Sequence, residues 1–212
     1  MFYYPVLGAD GKTWLNNNLG ADFANTAKAS FDPAAQASSS DDWRAYGSHF
    51  QKGRFSDGHE LRNWTGASTG TYNATLTSTL STTDTPVNSN FITVNSGNFD
   101  WRNPQNSSLW QGVNGTNNPC PIGYRLPTET ELNIQILSWS SQNAAGALAS
   151  PLKLTKAGRR YIDDGLYNNG AYAYYWSSTF NGSYTRNLNF NTSVSIVASG
   201  HAYGYSVRCI KN

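Results

Sequence analysis

Charge is scarce in this chain. Asp, Glu, Lys and Arg together make up 13% of its 212 residues, about half the share of an ordinary soluble domain. The net charge is only +2, with no Lys/Arg run and no basic helix, which excludes the electrostatic footprint of a nucleic-acid partner. No apolar run is long enough to span a bilayer, so direct membrane insertion is excluded. The opening residues M-F-Y-Y-P-V-L-G-A-D-G-K lack the basic and apolar regions of a signal peptide. Cysteine is limited to Cys120 and Cys209, with no C-x-x-C pair, and His49, His59 and His201 show no helical metal-ligand spacing. No serine sits in a G-x-S-x-G elbow. The expectation is a protein without cofactor or catalytic centre.

The scarcity deepens toward the C-terminus. The whole chain holds 6 Lys, 3 Glu, 6 Gln and 1 Met, and none of these falls between 165 and 207. Asp is missing there too. Acid–base chemistry needs groups that titrate near working pH, and this stretch supplies only His201. It holds instead Tyr167, Tyr172, Tyr174, Tyr175, Tyr184, Tyr203 and Tyr205 among many Asn, Ser and Gly. Tyr offers rigid amphipathic contact at low entropic cost, and Ser, Gly and Asn offer adaptable hydrogen bonds, which is the composition of recognition loops. An ordinary sheet face is the plainer alternative, since Tyr and Thr favour strands. The aromatic share of 14%, with seven Trp, argues for a folded chain.

Asp10-Gly11 between apolar runs predicts a hairpin within residues 1–20. Residues 22–52 carry Ala-rich stretches that predict helix up to Tyr46-Gly47. A Thr/Asn/Ser/Gly-rich tract over 63–118 reads as an insertion with short strands at 72–80 and 91–94, anchored by Trp64, Trp101 and Trp110. Thr128 with Glu131 three residues on is a capping-box pattern, and Leu132, Ile136 and Trp139 recur at helical spacing. After Gly158 the pattern becomes strands. Leu188 and Phe190 alternate with Asn187, Asn189 and Asn191, and Val194 and Ile196 with Ser193 and Ser195, predicting one packed and one polar face. The order gives one α+β domain over 1–212, an antiparallel sheet with two helices and a long irregular insertion.

Some residues leave alternatives open. Cys120 and Cys209 either form a disulfide, which would close about 90 residues and stabilise by roughly 4–5 kcal/mol, or remain two separate thiols. The G-R-F-S-D-G-H-E-L stretch places His59 and Glu60 beside Asp57, either as a functional Asp/His/Glu group or as a hydrogen-bonded loop. Asp41-Asp42 and Asp163-Asp164 could each turn toward a calcium ion. The six N-x-S/T sequons, Asn181 and Asn191 among them, are assigned no role.

Three ordered motifs carry a resemblance: C-P-I-G-Y-R-L-P-T-E-T-E-L (120–132), Y-W-S-S-T (175–179) and G-Y-S-V-R-C-I-K (204–211). With T-W-L-N-N-N-L near the N-terminus, the chain resembles the major paralogous domain first named from Fibrobacter and common in Bacteroidetes surface proteins. That family belongs with the C-type-lectin-like fold shared by formylglycine-generating enzymes. The resemblance covers both ends and most of the second half, and leaves 63–118 without a counterpart. It implies paired N- and C-terminal strands.

In variable proteins of diversity-generating retroelements, which share this fold, the corresponding tail is randomised at adenines of A-A-C or A-A-T codons. Changing the first two bases of such codons never yields Lys, Glu, Gln, Met or Trp. Between 165 and 207 only Trp176 belongs to that set, inside the fixed Y-W-S-S-T motif.

The resemblance implies a scaffold of Trp176, Leu188, Phe190, Val194, Ile196, Tyr205 and Val207. The implied ligand-facing set is Tyr172, Tyr174, Phe180, Asn181, Ser183, Tyr184, Arg186, Asn187, Asn189, Asn191, Ser193, Ser195, His201 and Tyr203. The implied function is a non-enzymatic, hypervariable receptor- or ligand-binding domain on a bacterial cell surface or phage virion. A fixed structural or carbohydrate-associated module is the alternative. Cys209 stands alone where the formylglycine-generating enzymes carry a reactive pair, and the E-P-N, Q-P-D and W-N-D motifs of calcium-dependent lectins are absent.

Overall fold

Thr128 and Glu131 start the longest helix. In the computed structural model, which describes residues 1–163, 166–167 and 170–212, helix α1 spans Glu129–Leu137 behind a complete capping box. Thr128 Oγ1 accepts from the Glu131 amide at 3.2 Å, and a Glu131 carboxylate oxygen accepts from the Thr128 amide at 2.8 Å. Leu132, Ile136 and Trp139 are buried, as their spacing predicts. Helix α2, Ala144–Ala149, follows after Asn143, whose side chain caps its first amides. Among the described residues no helix is long and apolar enough to cross a membrane.

The expected helices over 22–52 do not form. That segment contains two single 3-10 turns, Asp22–Ala24 and Trp43–Ala45. Asn25 and Asp32 each accept from the amide two residues on, a local bond that competes with helix. Pro33 adds a further break.

The chain is α+β, sheet-rich with two helices. One four-stranded sheet joins the ends in the order Pro5–Leu7, Thr13–Leu15, Ile210–Lys211, Tyr124–Arg125. Its centre pairs Ile210 with Trp14, so the terminal strands do associate. A second sheet runs Leu166–Tyr167, Arg159–Arg160, Gly204–Tyr205, Phe50–Gln51. The third is an antiparallel meander of Ala173–Asn181, Tyr184–Phe190 and Val194–Ser199. Its first turn uses Gly182 at φ +62, the left-handed conformation that two-residue hairpins require.

Residues 62–110 are built into the domain. Their strands Arg62–Trp64, Gly70–Tyr72, Leu76–Thr77 and Phe91–Ile92 are short, while Trp64, Trp101 and Trp110 are buried as anchors. Ile92, Val94, Trp101, Leu109 and Trp110 share one apolar cluster with Leu15, Trp176 and Cys209. Cys120 and Cys209 form a disulfide, closing a separation of 89 residues. A second cluster lies between the meander and the helices, packing Leu188 and Phe190 against Leu132, Ile136 and Trp139.

Candidate functional site

The three motifs meet inside the protein. Arg208, from G-Y-S-V-R-C, is buried; its Nε donates to Asn18 Oδ1 at 3.0 Å and its Nη1 to the Leu152 carbonyl at 2.7 Å. Burial pushes its guanidinium down to about 10. Asn18 Nδ2 donates in turn to the Tyr46 carbonyl at 2.9 Å and the Tyr175 hydroxyl at 3.1 Å. The next residues of Y-W-S-S-T fix the meander to its surroundings. Trp176 Nε1 donates to the Phe50 carbonyl at 2.8 Å, and Thr179 Oγ1 accepts from the Glu129 amide at 2.9 Å, at the start of α1. These motif residues build scaffold.

The first strand of the meander is buried on both faces over residues 173–178. Ala173 and Tyr175 point to the helices, Tyr174 and Trp176 to the main core. Register places Tyr174 opposite Asn189, and Asn189 opposite Ser195. At this end of the sheet a Tyr-rich patch is assembled. Tyr172 stacks on Tyr174 at 6.4 Å, Tyr174 on Tyr205 at 5.1 Å, and Tyr203 packs edge-on to Tyr161 at 5.2 Å. The Arg159 guanidinium lies among them, 4.9, 4.7 and 5.4 Å from the rings of Tyr161, Tyr174 and Tyr203. Tyr172 and Ser195 are exposed, and Asn189, Tyr203, Arg159 and Tyr161 half-buried. Arg159 and Tyr161 precede the tail and belong to the patch. Their R-R-Y-I sequence carries no pattern distinguishing them from an ordinary strand.

The other expected contact residues divide. Asn181, Tyr184 and Ser193 are exposed at the meander's two turns, and Phe180 and Ser183 are half-buried at the first. Asn191 sits at the second turn, and its carbonyl accepts from the α2 residue Ala144. Arg186 is corrected: it lies on the helix side, with its guanidinium paired to Glu129 at 2.9 Å. Tyr174, Asn187 and His201 are corrected too, since all three are buried. Asn187 is on the polar side of the strand, but it is fully buried and meets Tyr205 at Ser199. Asn187 Nδ2 donates to Ser199 Oγ at 2.9 Å, and the Tyr205 hydroxyl donates to the same oxygen at 2.9 Å. Tyr167 lies where side chains are outside the described residues.

His201 sits in a polar cluster beneath the hairpin. Its Nδ1 is 2.8 Å from Asp100 Oδ2 and its Nε2 is 3.0 Å from Thr185 Oγ1. A carboxylate only accepts, so Nδ1 carries the proton and Nε2 accepts from threonine. Burial lowers the imidazole's proton affinity, and Asp100 opposes that.

Among the described residues, Asp57, His59 and Glu60 bring ligand atoms within 4.8 Å of one another. The chemistry there is already used. The Gln51 amide donates to His59 Nε2 at 3.0 Å, which leaves Nδ1 protonated and donating to Asp57 Oδ1 at 2.7 Å. Asp57 Oδ2 pairs with Arg54, and the Glu60 carboxylate accepts from Ser56 and the Gly58 amide. The group forms a hydrogen-bonded loop among its own side chains and neighbouring amides. Asp42 is likewise committed: burial opposes its charge, but hydrogen bonds from Arg44 and Ser38 outweigh it and hold the carboxyl below its usual range. Asp164 lies outside the described residues.

Comparison of the chain with family models, curated proteins and solved structures finds no match in any of the three.

Proposed function

We propose that this chain is a C-type-lectin-like binding domain without catalytic function, whose tail is a hypervariable ligand- or receptor-contacting surface. In this reading it is diversified by a retroelement and displayed on a bacterial cell or phage virion. The observation that carries the proposal is the patch of Tyr172, Tyr203, Arg159, Asn189 and Ser195, set beside a meander whose Tyr175, Trp176, Leu188 and Phe190 are buried in the core. Rigid aromatic anchors beside adaptable amides and hydroxyls suit contact with a partner. The Asn18–Tyr175–Arg208 hub supports the reading, because a fixed interior lets the outer side chains change without loss of fold. His59 and His201, with both ring nitrogens engaged internally, support a role other than acid–base catalysis.

The neighbouring DNA tests the proposal. A reverse-transcriptase gene and a near-copy of the 3′ end differing only at adenines are expected. A tail codon series with no such copy would favour a fixed structural or carbohydrate-associated module. Burial of Tyr174, Asn187 and His201 inside the tail is what favours that second reading, because those positions tolerate little variation.

A further inference from the structure

Lys52 occupies a place unusual for lysine. It is 1% exposed, and its Nζ has no hydrogen-bond partner among the described residues. The amine is enclosed by two rings, 5.0 Å from the Trp110 centroid and 4.8 Å from the Phe180 centroid. Trp110 is fully buried, so it forms a fixed floor. Phe180 is half-buried and belongs to the hairpin, one residue from its exposed tip at Asn181-Gly182. The hairpin's other tethers to the insertion are two glutamine side chains: Gln111 Nε2 donates to the Ser178 carbonyl and Gln105 Nε2 to the Ser183 carbonyl, each at 2.8 Å.

We propose that Lys52 and Phe180 form a proton-sensitive latch, in which Phe180 seals the amine when the hairpin is closed and protonation of the amine favours the open hairpin. An ammonium carries three donors and is strongly hydrated. Under Phe180 it is buried with no acceptor among the described residues, whereas lifting the ring exposes it to solvent. The aromatic faces offer a cation some compensation, less than full hydration. Burial accordingly lowers the Lys52 amine from 10.5 to about 7, with the Asp100 charge pulling the other way. The titratable groups facing this cluster are Asp100, from the insertion, and His201, from the loop before Gly204–Tyr205. Burial lowers His201 from 6.5, so its titration falls below the range in which Lys52 acts.

The sign follows from linkage. The open state binds the proton up to about pH 10.5 and the closed state only up to about pH 7. Opening therefore grows about tenfold for each unit of pH lost between those limits and is level below about 7. The latch does not rest on the proposed function.

Amide hydrogen exchange tests it without a ligand. After correction for intrinsic rates, protection at Asn181, Tyr184 and Thr185 is expected to rise about tenfold per unit from pH 7.5 to 9, with Leu188 unchanged. Lys52→Met should make the hairpin's protection independent of pH. In Phe180→Ala the amine, followed by NMR of the lysine side chain, should titrate well above 7, toward 10.5. A flat profile in the parent protein, a slope that survives Lys52→Met, Leu188 moving in step with the hairpin, or an amine still titrating near 7 without Phe180 would each overturn the latch.

Discussion

Asn18 and Arg208 are 190 residues apart in sequence and joined by a 3.0 Å hydrogen bond in the interior. That bond ties the N-terminal T-W-L-N-N-N-L stretch to the G-Y-S-V-R-C-I-K motif, and through Asn18 Nδ2 it reaches Tyr175 of Y-W-S-S-T. Asn18→Ala removes the acceptor for a buried guanidinium and the donor to two oxygens. We expect a loss of about 2–4 kcal/mol, because a buried charge stripped of its partner is costly. Urea unfolding measures it.

The tail should divide by burial, with its residue type a poor guide. Tyr172→Ala and Ser195→Ala should shift stability by within about 0.5 kcal/mol. Leu188→Ala and Phe190→Ala should cost roughly 2–5 kcal/mol by opening cavities against α1. Asn187→Ala belongs with the costly set, at about 1–3 kcal/mol, although its neighbour Asn189 should be nearly silent. Parallel thermal melts of the six variants, Asn189→Ala included, distinguish these outcomes.

That contrast shows what was legible in the sequence. The start of α1 could be read because Thr128 and Glu131 act on each other across three residues. The alternation around Leu188 was equally local. Nothing local reveals that Asn187 and Tyr205 converge on Ser199, or that Arg186 turns to Glu129, 57 residues away. The Ala-rich 22–52 segment misled for the opposite reason: helix propensity is a weak prior, and side-chain bonds from Asn25 and Asp32 decide the backbone there. Arg159 and Tyr161 joined the patch through tertiary packing alone.

Acid should weaken the link between the terminal sheet and α1. Burial opposes charge on Glu131, but Arg125 and Lys12, with the Thr128 amide, outweigh it and hold the carboxyl at about 2 instead of 4.5. A depressed folded-state value means the contribution is intact above about pH 4.5 and is lost as pH falls toward 2. Glu131→Gln should flatten the stability profile over that window, at a cost of roughly 2 kcal/mol near neutrality. Denaturant melts between pH 2 and 6 are the check.

Reducing the Cys120–Cys209 bridge should lower stability by roughly 4–5 kcal/mol through loop closure in the unfolded chain. Unfolding midpoints with and without reductant, on protein whose thiol state is verified by mass, give the value.

The central claim is that a variable contact surface is mounted on an invariant scaffold. Sequencing the tail codons across many independent isolates of the source population tests it most directly. The account predicts substitutions concentrated at exposed positions such as Tyr172, Asn181, Tyr184, Ser193 and Ser195 and at half-buried Asn189, arising at adenines, with Tyr175, Trp176, Asn187, Leu188 and Arg208 unchanged. Substitutions spread evenly over both sets, or a tail identical in every isolate, would contradict it.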